Sequence, residues 1–140
     1  MLRDAIYNSL LRSKRRQFHA DIAATLENQF RAVLENQPEI LAHHHTEAGN
    51  NELAAGCWCK AGQRALTRSA NVEAISHFRK ALEVMSSLYD TPERRNEEIR
   101  IQLALGIPRI AVHGYAAEET RNAFDRSRTV CLKLDDAAEY

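Results

Sequence analysis

Apolar residues recur every three or four positions along most of the chain, the spacing of helices that bury one face. The pattern predicts a short helix over residues 3–11, then a second helix that Ser13 caps and that runs to about Glu35. The apolar side of the first helix comprises Ala5, Ile6, Leu10 and Leu11. The apolar side of the second comprises Phe18, Ile22, Leu26, Phe30 and Val33. We expect neighbouring helices to cover the second side, whereas Ile6, Leu10 and Leu11 of the first begin the chain without their usual upstream partner.

Proline, glycine and asparagine residues predict where the next helices begin and end. Pro38 suits the first turn of a helix over 39–48, and Gly49 suits its left-handed C-terminal cap. Helices are then predicted over 52–67, from 71 to about 85, and from 92 onward. The residues expected to cap their N-termini are Asn50 or Asn51, Asn71, and Thr91 with Pro92 after it.

The last third of the chain contains a helix breaker. Because Pro108 cannot donate a backbone hydrogen bond, Gly106-Ile107-Pro108 predicts a kink or break in the helix that contains residues 99–112. Gly114-Tyr115 predicts a turn. A final helix is expected over about 117–134, with Ala123, Phe124, Val130 and Leu134 directed inward.

The spacing Trp58-x3-Gly62, followed by Ala74-x3-Phe78-x2-Ala81, is typical of a helical hairpin of the tetratricopeptide kind. In such a hairpin the small residues let two helices approach closely, and one aromatic ring fills the space between them. Ala54-x3-Trp58-x2-Ala61 repeats the second half of this pattern twenty residues earlier. We therefore predict an all-α fold, an antiparallel array of about six or seven helices forming a tetratricopeptide-like solenoid.

Composition adds few constraints beyond the class of protein. The 140 residues suit one domain, and 19 basic residues balance 19 acidic ones, so no overall charge favours nucleic acid or an anionic membrane. Three cysteines without a framework spacing favour reduced thiols. With no signal peptide or apolar run of membrane-spanning length, we expect a soluble cytoplasmic protein.

Three clusters could carry chemistry, and each has a simpler interpretation. His43-His44-His45 cannot converge on one metal ion, because consecutive helical residues point about 100° apart; only His43 and Glu47 share a face. We expect polar helix surface at these positions, with one histidine partly packed. Cys57 and Cys59 would point to nearly opposite sides, one into the core and one outward. Lys14-Arg15-Arg16 opposes the helix dipole and should have an acidic partner.

No phosphate-binding loop and no nucleophile–base arrangement stands out. We predict no catalytic, cofactor-binding or metal-binding residues, and no cofactor.

Two stretches resemble parts of large bacterial signalling proteins. Residues 3–13 and 15–23 are similar to the segment that follows the ATPase module of multidomain adenylate/guanylate cyclases with an AAA-type ATPase. Residues 37–49, with Trp58, Ala61-Gly62 and Arg64-Ala65, resemble the start of the helical-repeat array in the same proteins. The resemblance implies one helical-repeat domain over 1–140, in which 1–36 corresponds to the post-ATPase helices and 37–140 to the array.

The resemblance also implies a function. The chain would be a non-catalytic protein–protein interaction scaffold that contacts a protein partner or domains absent from this sequence. Cys59, Gln63 and Leu66 would face the partner, although Ala61 and Ala65 replace the larger residues that the repeat prefers. Uncovered apolar residues at both ends favour a homo-oligomer. A helical nucleic-acid-binding transcription regulator is the alternative, and a metal or thiol enzyme is a third possibility that lacks converging ligands.

Overall fold

Six α-helices follow one another along the computed structural model, which describes residues 2–114 and, beyond them, residues 118, 121, 122, 125, 126, 128, 129 and 132. They are α1 (Leu2–Gln29), α2 (Arg31–Asn36), α3 (Pro38–Ala48), α4 (Asn51–Thr67), α5 (Asn71–Met85) and α6 (Pro92–His113). The all-α fold is thus confirmed for the described residues. Each of α3 to α6 packs on the helix before or after it, and α1 packs on α3. A solenoid is consistent with this order of contacts but stays a prediction.

The core lies between α4 and α5 and contains the residues that the repeat spacing singles out. Ala54, Trp58 and Ala61 of α4 and Ala74, Phe78 and Ala81 of α5 are all buried. Ile101 and Leu105 of α6 complete the same cluster. Because alanine side chains keep the contact surfaces low, the two helices approach closely and the Phe78 ring fills the remaining space.

The N-terminal helix differs from the prediction. Residues 2–29 form one continuous helix, with no start at Ser13, because no glycine or proline interrupts the helix-favouring sequence there. The interruption comes instead at Phe30, which has φ −127° and ψ 36°, and the short helix α2 follows it.

The expected burial of the apolar side over 18–33 is also wrong. Phe18, Ile22, Phe30 and Val33 are exposed, and Leu26 is only partly buried. The α1 helix contacts α3 through another side, on which Ala23 is buried.

Cap predictions have mixed outcomes. Gly49 has φ 82° and ends α3 as expected, and the Thr91 side chain accepts a hydrogen bond from the Arg94 amide at the start of α6. Asn50 and Ala70 are the N-terminal caps of α4 and α5, and neither makes a side-chain capping bond. Asn71 is already inside α5, while the Asn51 amide donates to Ser87 Oγ, 2.7 Å away. A bond to the turn that follows α5 replaces the expected cap at position 51.

Helix α6 continues through Pro108, so the predicted break is wrong. Pro108 is fully buried, as is Leu105 one turn earlier. Burial of this face offsets the lost hydrogen bond, whose cost is about 3 kcal/mol in an isolated helix. A bend without a break stays a prediction. The inward residues expected of the last helix, Ala123, Phe124, Val130 and Leu134, lie outside the described residues.

Candidate functional site

An exposed apolar face runs along α1. Tyr7, Leu11, Phe18 and Ile22 are 42–66 % exposed and fall within an arc of about 60° on the helix. We call these four residues the α1 apolar face. Ile6 and Leu10 adjoin it and are also exposed. Contiguous exposed apolar side chains of this kind are typical of surfaces that bind other proteins.

A different side of α1, about a third of the circumference away, contacts α3. Arg15 forms an ion pair with Glu47 of α3, which supplies the acidic partner predicted for the basic cluster. The Arg16 guanidinium lies against Gly49, at the C-terminus of α3. That position is favourable, because a helix C-terminus carries partial negative charge. The contact between α1 and α3 is therefore largely polar.

Histidines form the middle of this contact. His19 of α1 and His44 of α3 approach to 2.9 Å between their Nδ1 atoms. The His43 ring centroid lies 5.8 Å from that of His19 and 5.6 Å from that of His44. Burial, followed by the neighbouring histidines, lowers the pKa of His44 from its usual 6.5.

The third histidine of the run has a different role. His45 is buried, and its Nε2 atom lies 3.3 Å from a carboxylate oxygen of Glu27 on α1. Sequence reasoning expected polar helix surface at positions 43–45 with one histidine partly packed, and the buried histidine is His45. Within the described part of the chain, no three histidine, cysteine or acidic side chains are placed to hold a metal ion.

The predicted partner residues do not form one surface. Cys59 is buried in the core, Leu66 is partly buried against it, and Gln63 is exposed. Burial, with smaller contributions from Glu97 and Cys57, raises the pKa of the Cys59 thiol to about 12. Of the three residues, only Gln63 is presented to solvent.

Gln63 lines a groove of about 800 Å³. Charged residues of both signs surround it, namely Glu27, Arg31, Glu35, Lys60 and Arg64. Arg64 donates to the Asn36 side chain at 2.7 Å, which links α4 to α2. Cys57, the less buried of the two described cysteines, also lines the groove, and burial raises the pKa of its thiol. Mixed charge and the absence of a nucleophile–base pair among these lining residues give the groove no evident catalytic chemistry.

Trp58 anchors a second polar cluster that sequence reasoning missed. Its indole Nε1 donates to Thr46 Oγ1 of α3 at 3.0 Å. His77 of α5 stacks on the indole at 5.5 Å between centroids, and Lys80 Nζ lies 4.4 Å from the ring. The cluster joins α3, α4 and α5 and is a structural contact. The signal for it was the i, i+3 spacing of His77 and Lys80 on the helix opposite Trp58.

No family model matches the chain, and no solved structure matches it. A relative among curated proteins is an uncharacterised protein of Rhizobium meliloti (strain 1021), 24 % identical over 125 residues. The match covers 89 % of this chain but only 12 % of the relative, so the chain spans a small part of a much longer protein's length. Among the described residues, no helix is both long and apolar enough to cross a membrane.

Proposed function

We propose that this chain is a non-catalytic interaction and regulatory scaffold within an ATPase-linked, cyclase-type signalling protein. The observation that carries the proposal is the α1 apolar face, four exposed apolar side chains on one arc of a continuous helix. Burying each such side chain against a partner is worth roughly 1.5–3 kcal/mol. The partner is a protein surface, either another domain of the same signalling protein or a second copy of this chain.

Two further observations support the proposal. The Rhizobium meliloti relative is far longer than the matching region, as expected for a module of a multidomain protein. Two of the side chains that could do chemistry are engaged elsewhere: Cys59 is buried, and His45 contacts Glu27. We accordingly propose that the chain turns over neither ATP nor GTP, which a nucleotide hydrolysis and cyclisation assay of the purified protein tests.

The self-association part of the proposal is tested by sedimentation velocity of the full chain over a wide concentration range. We expect a species heavier than the 15.9 kDa monomer that the double variant Leu11→Glu/Phe18→Glu converts to monomer. Val72→Glu is the matched control, because Val72 is also exposed but lies on α5, away from α1. The control should associate as the wild type does.

The domain-contact part of the proposal is tested by photocrosslinking. A photoreactive phenylalanine analogue at position 18 should crosslink to another part of the parent protein, and the same analogue at position 72 should not. A wild type that is monomeric throughout and gives no crosslink specific to position 18 would contradict the scaffold proposal. Salt-dependent DNA binding would favour the nucleic-acid alternative instead.

A further inference from the structure

Two histidines meet in the contact between α1 and α3. His19 Nδ1 and His44 Nδ1 are 2.9 Å apart, which is hydrogen-bond distance. Such a contact requires that one Nδ1 carry a proton and that the other offer its lone pair. If both rings are protonated, both Nδ1 atoms are donors and both rings are positive, so the contact cannot form.

Burial, followed by the neighbouring histidines, favours the neutral form of His44. The charged or titratable groups near it come from three helices: Arg15, Arg16 and Glu27 of α1; Glu39, His43, His45 and Glu47 of α3; and His77 and Lys80 of α5. Two of the carboxylates have other partners, since Glu47 pairs with Arg15 and Glu27 with His45. Glu39 lies in the pocket with His77 and acts on that ring. The electrostatic contributions that act on His44 come from His19, His43 and His45 and disfavour its protonated form.

Besides the histidines, a few apolar residues and several polar contacts hold α1 to α3. On α1, Ala23 is buried and Ala20 and Leu26 are partly buried, while the α1 apolar face is directed elsewhere. The other named contacts are the exposed Arg15–Glu47 pair, Arg16 against Gly49, and Glu27 with His45. Exposed ion pairs are worth at most about 1 kcal/mol each. The histidine contact thus adds to a set of individually weak polar contacts in this part of α1.

We propose that His19 and His44 form an acid-sensitive latch: protonation of both rings releases α1 from α3 while the α4–α5 core stays folded. This inference does not depend on the proposed scaffold function. The sign follows from the direction of the His44 shift, because a histidine whose folded pKa is lowered favours the neutral ring. Its contribution is fully present above its usual 6.5 and is lost as the pH falls below that value.

The test is amide hydrogen exchange of the full chain, read by mass spectrometry at pH 7.5 and pH 5.5 and corrected for the intrinsic effect of pH. We expect protection over residues 16–29 to fall on the order of tenfold at the lower pH, while residues 71–85 keep theirs. The double variant His19→Gln/His44→Gln, whose amides cannot titrate, should lose this pH dependence. His113→Gln on α6 is the control and should retain it.

Each outcome decides for or against the latch. Equal protection of 16–29 at both pH values in the wild type would overturn it. A pH response that persists in the double variant would also overturn it, because other groups would then be responsible. Since His19 and His44 are only partly buried, the double variant should fold, and protection of 71–85 checks this. If it nevertheless unfolds, His44→Gln alone provides the same comparison.

Discussion

The Phe78 ring lies where a side chain at position 62 would begin. A Cβ atom built on Gly62 would be 2.7 Å from Cε1 and 2.8 Å from Cδ1 of that ring, closer than carbon atoms approach without a shift. Glycine at this position therefore sets the distance between α4 and α5. The two residues, sixteen apart in sequence, act as one packing unit.

Gly62→Ala should destabilise the fold by roughly 1–3 kcal/mol, because the added methyl group forces the Phe78 ring or the helices to move. Gly56→Ala is the matched control: it lies in the same helix, and a Cβ there meets nothing within 4 Å. The control should be neutral or stabilising by up to about 1 kcal/mol, owing to the helix propensity of alanine. Urea denaturation followed by circular dichroism measures both. A destabilised Gly56→Ala with an unaffected Gly62→Ala would contradict this assignment of the contact.

Phe78→Ala should cost roughly 3–5 kcal/mol, since it empties a fully buried site flanked by Ala74 and Ala81. Glu83 is exposed on the same helix, and Glu83→Ala should change stability by no more than about 0.5 kcal/mol. The comparison requires only thermal melts of the two variants beside the wild type. Equal melting temperatures for the two would mean that Phe78 is not the centre of the core.

Thr46→Val should destabilise the protein by about 1–2 kcal/mol, because the indole N–H of buried Trp58 would lose its acceptor. Thr67→Val removes only a local bond to the Arg64 carbonyl at the exposed end of α4 and serves as the control. Trp58 is the chain's one tryptophan, so its fluorescence reports on this site directly. An unfolding midpoint lowered as much by the control as by Thr46→Val would show that the hydrogen bond contributes little.

Alkylation at mildly alkaline pH should modify Cys57 well before Cys59. Cys59 is buried and its thiol pKa is raised to about 12, so hardly any thiolate forms there in the folded protein. Cys57 is only partly buried, although burial raises its pKa as well. Peptide mapping after timed exposure to iodoacetamide distinguishes the two positions. Denaturant should abolish the difference, and faster labelling of Cys59 in the native protein would contradict its placement in the core.

The hairpin of α4 and α5 could be predicted from the sequence because its packing requires small and aromatic residues at regular spacings. Small residues at 54, 61, 74 and 81, with Gly62 and two aromatic rings at fixed spacings, indicate both the helices and the face that each buries. The structure places these residues in the core. The caps at Gly49 and Thr91 were predicted on similar local grounds.

The position of α1 could not be predicted, because apolar periodicity indicates which side of a helix is apolar and not whether anything covers it. The sequence therefore predicted burial of Phe18 and Ile22, and both are exposed. The contact with α3 is made by polar groups such as Arg15 and His19, which leave no periodic signal. For the same reason the sequence indicated that one histidine of the run 43–45 would be partly packed, but not that it would be His45. The continuity of α6 through Pro108 likewise depends on tertiary packing, which cannot be read from the local effect of a proline on the backbone.

The length of α1 has a mechanical consequence. At 1.5 Å per residue the helix is about 42 Å long, and the contacts with α3 described above lie between Arg15 and Glu27. The preceding turns, exposed throughout, form a rigid arm of roughly 20 Å. A tilt of about 15° about Arg15 would move the tip of this arm by about 5 Å, close to the pitch of one helical turn. A tilt of α1 too small to disturb the core would in this way move the end of the helix far enough to change its contacts with a bound domain.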